Sequence, residues 1–197
     1  MGGDETKKLH VSVGADTTVH RLLASYHSAV EVVDRAGRAG VGVTNLKRMF
    51  GQPAEVRTLV EALGASLPDA EALAAGDPGV APLTGALALH VGLPAVFVRS
   101  TAKTHFLSYG SDPEHNHPRL SGERLPAGTN VVVIDDLLHS GETIVAAAET
   151  LREVDLAVVS AGCLLAAPPA AWRPRLEASG FETVTALVCT ADLALNR

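Results

Sequence analysis

The sequence has little of what marks a secreted or membrane-spanning protein. Its 197 residues include two cysteines, Cys163 and Cys189, which are too few for a disulfide framework. Both lie in apolar runs, where buried inert thiols are expected. Pro, Gly or a charged residue interrupts every apolar run before about 18 residues, so no transmembrane span is predicted. The N-terminus also lacks the apolar core of a signal peptide.

Basic residues are too few for a main role in binding nucleic acid or an anionic membrane. Lys and Arg number 16 against 22 Asp and Glu, which gives a net charge of −6. The chain is 47% apolar and 19% charged, so a folded chain is expected and not a disordered one. We therefore expect an acidic, globular, cytoplasmic protein with a single domain over residues 1–197.

Hydrophobic periodicity predicts an α/β fold. The first dozen residues are polar and are expected to be frayed. Buried strands are predicted at Ala95–Arg99, Asn130–Asp135, Leu156–Leu165 and Val184–Cys189, with a short extended piece at Val41–Thr44. Helices are predicted from Asp16 to Gly37, from Pro53 to Gly64, over Leu83–His90, over Gly141–Glu153 and near Ala170–Ala178. The alternation of strands with helices indicates βαβ units and a Rossmann-like parallel sheet flanked by helices.

One connection is unusually long for such a fold. The polar stretch from Ser100 to Thr129 carries several Gly and Pro residues and lies between two predicted strands. Loops of this length are either functional lids or disordered segments. His115 and His117 in this stretch form a metal-like string with nearby acidic residues, but a solvated loop is the simpler interpretation.

The segment Val131–Thr143 (VVVIDDLLHSGET) carries the sharpest chemical signal. A buried strand ends in two carboxylates, Asp135 and Asp136, and a short loop then enters a helix. Ligands of open α/β sheets bind at the carboxyl ends of the strands. Backbone N–H groups at the helix N-terminus favour a phosphate, as do the hydroxyls of Ser140 and Thr143. The carboxylates would repel that phosphate, so sugar hydroxyls or Mg²⁺ are their natural partners.

This segment resembles the phosphoribosyl pyrophosphate signature of type I phosphoribosyltransferases. The resemblance implies that Asp135 and Asp136 hold the ribose 2′- and 3′-hydroxyls and contact Mg²⁺ indirectly, through those hydroxyls or water. It implies that the following loop wraps the 5′-phosphate. The loop residues concerned are Leu137, Leu138, His139, Ser140, Gly141, Glu142 and Thr143. His139 stands where a small hydroxyl residue is more usual in the family.

A second segment, Ala95–His105 (AVFVRSTAKTH), resembles the start of the mobile catalytic loop of orotate phosphoribosyltransferases. The resemblance implies that Arg99, Lys103 and His105 contact pyrophosphate, with Lys103, His105 and Asp136 as catalytic residues. Cations can neutralise the charge that grows on departing pyrophosphate, and a closed lid excludes water. Three solvated charges on a surface loop are the alternative. Ser100 replaces the first lysine of the family pattern.

Two further regions match the family loosely. The turn from Gly76 to Thr84 lies where the family places its pyrophosphate loop, although a plain turn explains it nearly as well. Residues up to about 68 are expected to form a small hood, in which Lys47 or Arg48 meets the base, and residues from about 69 to 197 the core. The arginine that orotate enzymes place after the next strand is absent at residues 165–168. Trp172, with its neighbouring arginines, is expected to pack in the core.

Together these features predict a Mg²⁺-dependent phosphoribosyltransferase. It would transfer phosphoribosyl from phosphoribosyl pyrophosphate to a nucleobase, with orotate as the expected base, and act as a homodimer. Three alternatives remain open: another base, a phosphoribosyl pyrophosphate sensor without turnover, and a receiver-type domain phosphorylated on Asp135 or Asp136. Pyrophosphate formation would separate enzyme from sensor.

Overall fold

A seven-stranded sheet organises the computed structural model, which describes residues 9–14, 16–28, 43–44, 46–99, 119–121 and 125–194. The strands of this sheet are β1 (His10–Val13), β4 (Ala72–Ala75), β5 (Ala95–Arg99), β6 (Arg119–Ser121), β7 (Asn130–Leu138), β8 (Ala157–Ala166) and β9 (Thr183–Cys189). A separate antiparallel pair consists of β2 (His27–Ser28) and β3 (Val43–Thr44).

The strand order is β1-β9-β8-β7-β4-β5-β6. Six strands run parallel, and β6 is antiparallel to β5 at the edge. The predicted parallel α/β sheet is confirmed. From β4 the chain moves outward to β5 and β6, and then returns to the other side of β4 to form β7. The β4–β7 boundary is therefore the topological switch point, where ligands of open α/β sheets bind.

Helices cover both faces of the sheet. They are α1 (Thr17–Tyr26), α2 (Leu46–Met49), α3 (Pro53–Ser66), α4 (Ala81–Val91), α5 (Glu142–Arg152), α6 (Arg173–Ala178) and α7 (Thr190–Ala194), with a 3₁₀ turn at Pro169–Ala171. Because side chains alternate along β7, Val131 and Val133 pack toward α5, while Val132 and Ile134 pack toward α1, α3 and α4. The central strand is thus buried on both sides.

The N-terminus differs from the sequence prediction of a frayed end. Residues His10–Val13 pair in parallel with β9, and the backbone N–H of His10 donates to the carbonyl oxygen of Glu182 at 2.8 Å. Leu9 is buried in the core. Backbone pairing along the sheet edge and one buried apolar side chain order this segment, although the residues before it are largely polar. Residues 1–8 lie outside the described part of the chain.

Several predicted boundaries also shift. The helix that begins after Asp16 ends at Tyr26 and not at Gly37, because His27 and Ser28 pair with β3. The helix from Pro53 passes Gly64 and ends at Ser66. The expected long loop contains β6, and β7 continues beyond Asp135 to Leu138 because β8 stays paired with it.

The N-terminal third is not a separate layer in its described part. Helices α1 and α3 pack against the sheet with Leu23, Leu59 and Leu63 fully buried. The division between hood and core at about residue 68 stays a prediction. Within the described residues, no helix is both long and apolar enough to cross a membrane.

Candidate functional site

An acidic pair lies at the switch point of the sheet. The β4–β7 pairing ends where Ala75 faces Ile134, whereas the β7–β8 pairing continues for four more residues of β7. Asp135 and Asp136 therefore extend past the carboxyl end of β4, supported by β8 on one side. The two carboxylates stand at the edge where the fold places ligands.

Burial dominates the electrostatics of this pair. Asp135 is 7% exposed, and its Oδ1 accepts a hydrogen bond from the backbone N–H of Asp136 at 2.9 Å. The Oδ1 of Asp136 accepts the backbone N–H of Leu137, also at 2.9 Å. Burial, followed by the charge of Asp136, raises the pKa of Asp135 to about 8. Burial also raises the pKa of Asp136. A ligand that donates hydrogen bonds or carries positive charge would stabilise the ionised form of these two carboxyl groups.

Asp77 is a third carboxylate of this site, which the sequence analysis did not single out. It lies two residues after the end of β4, and its charge contributes to the raised pKa of both Asp135 and Asp136. Its Oδ1 accepts the backbone N–H of Gly79 at 2.7 Å. The signal was present in the sequence, since Asp77 lies just after an apolar run that ends at Ala75.

The turn around Asp77 is internally hydrogen-bonded. The N–H of Gly76 donates to the carbonyl oxygen of Ile134, the N–H of Val80 to that of Asp77, and the N–H of Ala81 to that of Pro78. The N–H of Gly79 is held by Asp77. These amides already have partners, so the geometry favours the plain turn over a preformed pyrophosphate cradle.

The loop from residue 137 to residue 143 (the 137–143 loop) connects β7 to α5. Gly141 adopts φ +78°, and a Cβ atom there would lie 2.4 Å from Cδ1 of Leu176, so only glycine fits. The hydroxyl of Ser140 accepts the N–H of Glu142 at 3.4 Å. The loop and Asp135 line a cavity of about 60 Å³, the volume of about two water molecules and suited to one tetrahedral oxyanion.

The side chains of the 137–143 loop have different surroundings. His139, Glu142 and Thr143 are exposed and Ser140 is half-buried, whereas Leu138 is buried in the core. The main chain and the polar side chains therefore face the cavity region, and Leu138 anchors the loop. The N-terminus of α5 adds backbone N–H groups that have no intrahelical partner, together with the positive end of the helix dipole.

Helix α6 packs behind this loop. Trp172 is fully buried, as expected, and its Nε1–H donates to the carbonyl oxygen of Ala167 at 2.7 Å. One arginine of α6, Arg175, places Nη2 3.1 Å from Oε1 of Glu142. Arg175 could not be connected with the site from the sequence, because the packing of α6 on the loop is a tertiary contact.

The cationic residues expected at the site are described only in part. Arg99 is the last residue of β5, at the same edge of the sheet as the acidic pair. Lys103 and His105 lie outside the described residues. Lys47 is in α2, and Arg48 places its guanidinium 5.8 Å from the ring centre of Tyr26. Tyr26 in turn donates a hydrogen bond to Glu55 of α3. The contact of Lys47 or Arg48 with a base stays a prediction.

The acidic side chains of the site fit a cation that also takes oxygen ligands from a bound molecule or from water. Asp77, Asp135 and Asp136 bring acidic oxygens together, which suits a hard cation such as Mg²⁺. Nevertheless, no three His, Cys, Asp or Glu side chains in the described ranges are placed to hold a metal ion by themselves. The indirect contact with Mg²⁺ through ligand hydroxyls or water stays a prediction.

Comparison with known proteins identifies the class to which this fold and site belong. A family model for the phosphoribosyl transferase domain matches residues 77–185, more than half of the chain, from the Asp77 turn through the acidic pair to β9. The chain belongs to the phosphoribosyltransferase family.

Individual relatives differ in the base that their names specify. An adenine phosphoribosyltransferase from Haemophilus ducreyi is 33% identical over 107 residues, covering 50% of this chain and 58% of the relative. An orotate phosphoribosyltransferase from Methanopyrus kandleri is 29% identical over 121 residues, covering 60% and 58%. The matched segments thus span less than two thirds of these relatives.

The fold is shared with solved structures over most of the chain. The crystal structure of orotate phosphoribosyltransferase from Aeropyrum pernix superposes with a TM-score of 0.69 at 21% identity, covering 90% of this chain and 96% of the other. At this identity the likeness establishes the type I phosphoribosyltransferase fold.

Proposed function

We propose that the protein transfers the 5-phosphoribosyl group of phosphoribosyl pyrophosphate to a ring nitrogen of a nucleobase and releases pyrophosphate. One observation carries the proposal: a buried acidic pair and an anion-binding helix N-terminus lie side by side at the switch point. Asp135 lines the same small cavity as Ser140, Gly141 and Thr143. A single ligand with vicinal hydroxyls and a phosphate satisfies both halves of this site.

The chain contributes binding, orientation and electrostatics. Asp135 and Asp136 accept hydrogen bonds from the ribose 2′- and 3′-hydroxyls, and the 137–143 loop holds the 5′-phosphate through backbone and hydroxyl donors. Fixing the sugar at two points orients C1 for in-line displacement. Arg99, Lys103 and His105 are proposed to stabilise the charge on departing pyrophosphate, where an interaction that strengthens in the transition state raises kcat.

Mg²⁺ is the proposed cofactor. Asp135 and Asp136 would hold it indirectly, and Asp77 adds negative charge nearby. When bound, the cation would supply charge neutralisation for pyrophosphate. Because acidic side chains lie beside the proposed sugar site, the pyrophosphate group of the ligand would be repelled without a cation.

Orotate is the proposed base, supported by the resemblance of Ala95–His105 to the loop of orotate enzymes. A second candidate is adenine, which is favoured by a specific observation at β8. Its carboxyl end reads Leu165-Ala-Ala-Pro168 and presents no cation to a carboxylate such as that of orotate. Burying a carboxylate without a partner is costly, so an uncharged base suits this edge better.

A homodimer is also proposed, on the resemblance alone, and sedimentation analysis would test it.

The proposal is tested by supplying phosphoribosyl pyrophosphate and Mg²⁺ with orotate, uracil, adenine, hypoxanthine or guanine and measuring pyrophosphate release. Turnover with one base supports the enzyme and identifies the base. Binding of phosphoribosyl pyrophosphate without turnover of any base would instead support the sensor. The receiver-type interpretation is not retained, because the chain belongs to the phosphoribosyltransferase family.

A further inference from the structure

An ion pair joins α6 to a residue that lines the proposed phosphate site. Arg175, on α6, places Nη2 3.1 Å from Oε1 of Glu142, the first residue of α5. The two side chains are 47% and 69% exposed. The Arg175 side chain also lies against the loop itself, since a Cβ on Gly141 would be 3.6 Å from its Cδ. The guanidinium is therefore held next to Glu142, a residue of the cavity lining, although Arg175 belongs to another element.

The partner of Arg175 is itself a cavity residue. Glu142 lines the small cavity together with Ser140 and Thr143. Its carboxylate sits in the first turn of α5, where the helix dipole favours an anion. In the protein without ligand, Glu142 thus provides the negative charge that this helix end and Arg175 both favour. A phosphate that enters the cavity carries a charge of about −2 and would place it close to that carboxylate.

We propose that Arg175 is a further binding residue for the 5′-phosphate, held by Glu142 until the phosphate arrives. This inference rests on the proposed function. A guanidinium presents paired N–H donors that match phosphate oxygens, and it binds the more highly charged anion in preference to one carboxylate. Glu142 then opposes phosphate binding, both by repulsion and by competing for Arg175.

Substitutions at the two members of this ion pair should change the affinity for the 5′-phosphate in opposite directions. Arg175→Ala should weaken binding of ribose 5-phosphate and of phosphoribosyl pyrophosphate about tenfold, a modest value because the guanidinium is half exposed. Glu142→Gln should strengthen both about threefold, since repulsion is removed and Arg175 is released. A pair with a structural role alone would leave both affinities unchanged.

Two kinds of control are available: a variant of another arginine on α6, and a ligand that lacks the 5′-phosphate. Arg173→Ala removes an equal charge from α6, but Arg173 pairs with Glu177 at 3.2 Å and donates to the carbonyl oxygen of Leu9. Arg173→Ala should leave the affinity for ribose 5-phosphate within twofold of wild type. Arg175→Lys keeps the positive charge but loses the paired N–H donors of the guanidinium. Its affinity should lie between those of wild type and Arg175→Ala. Binding of Mg²⁺-pyrophosphate should be the same in all variants.

Calorimetric titration of the folded variants with ribose 5-phosphate decides the matter. Opposite shifts for Arg175→Ala and Glu142→Gln, with Arg173→Ala unchanged, support the inference. If wild type binds ribose 5-phosphate and Arg175→Ala binds it equally well, the inference is overturned and the proposed function stands. If wild type binds neither ribose 5-phosphate nor phosphoribosyl pyrophosphate, the proposed function fails and the role of Arg175 fails with it.

Discussion

Gly141 and Leu176 meet so closely that no side chain fits between them: a Cβ on Gly141 would lie 2.4 Å from Cδ1 of Leu176. This contact joins the 137–143 loop to α6, and Leu176 is fully buried. The shape of the proposed phosphate site is therefore fixed by a helix that follows it in the chain by some thirty residues.

The first prediction uses this contact. Gly141→Ala should lower the free energy of unfolding by about 2–4 kcal/mol, from overpacking against Leu176 and from the positive φ. Gly180→Ala is the matched control, because Gly180 has φ +74° with open space around a Cβ. That variant should lose only about 1–2 kcal/mol. Denaturant titration measures both, and equal losses would show that the Leu176 contact carries no energetic weight.

A second prediction concerns Asp135 and pH. Its pKa is about 8 in the folded protein and near 4 when unfolded, so between these pH values the unfolded state binds fewer protons. Stability from this group is therefore present at low pH and is lost as pH rises toward 8. Asp135→Asn retains an oxygen acceptor for the N–H of Asp136 and removes the titration.

Asp135→Asn should therefore be more stable than wild type at pH 8, with the difference shrinking toward pH 4. One pKa unit corresponds to about 1.4 kcal/mol, so a gain of a few kcal/mol is expected. Asp69→Asn, at an exposed carboxylate, is the control and should show little change at either pH. If the difference in unfolding free energy between Asp135→Asn and wild type were the same at pH 4 and pH 8, the raised pKa of Asp135 would be contradicted.

A third prediction follows from ligand binding to the same carboxyl. At pH 7 Asp135 is mostly protonated, and ribose hydroxyls that donate to it favour the ionised form. Binding of phosphoribosyl pyrophosphate should therefore release more protons from wild type than from Asp135→Asn. Calorimetry in buffers of different ionisation enthalpy measures this excess, which should vanish near pH 9. An equal proton count in both proteins at pH 7 would contradict it.

Much of the fold followed from the sequence because its strands are apolar on both faces. Ala95–Arg99 was predicted with its observed ends, and Asn130–Asp135 was correctly predicted as a buried strand. Leu9–Val13 was missed because it follows the charged stretch Asp4–Lys8, and its order comes largely from backbone pairing with β9. Such pairing leaves no trace in hydrophobic periodicity.

The site was predictable where its parts are contiguous in the chain. Asp135, Asp136 and the 137–143 loop follow one another, so one segment revealed them. Asp77 and Arg175 approach them only through the folded sheet and the packing of α6. No local pattern marks a residue whose role depends on a distant partner.

The fourth prediction concerns the segment after β5. If Lys103 stabilises pyrophosphate as it leaves, Lys103→Ala should lower kcat about a hundredfold and change KM for phosphoribosyl pyrophosphate far less. Steady-state kinetics with the base that supports turnover measure both constants. A variant with wild-type kcat would remove Lys103 from the reaction.

The central claim, that the acidic pair and the 137–143 loop form a phosphoribosyl pyrophosphate site, is tested most directly by calorimetric binding of this ligand with Mg²⁺. Wild type should bind it in a Mg²⁺-dependent manner, and the double variant Asp135→Asn, Asp136→Asn should lose at least about a hundredfold in affinity while remaining folded. Unchanged affinity in a folded double variant would contradict the assignment of the site.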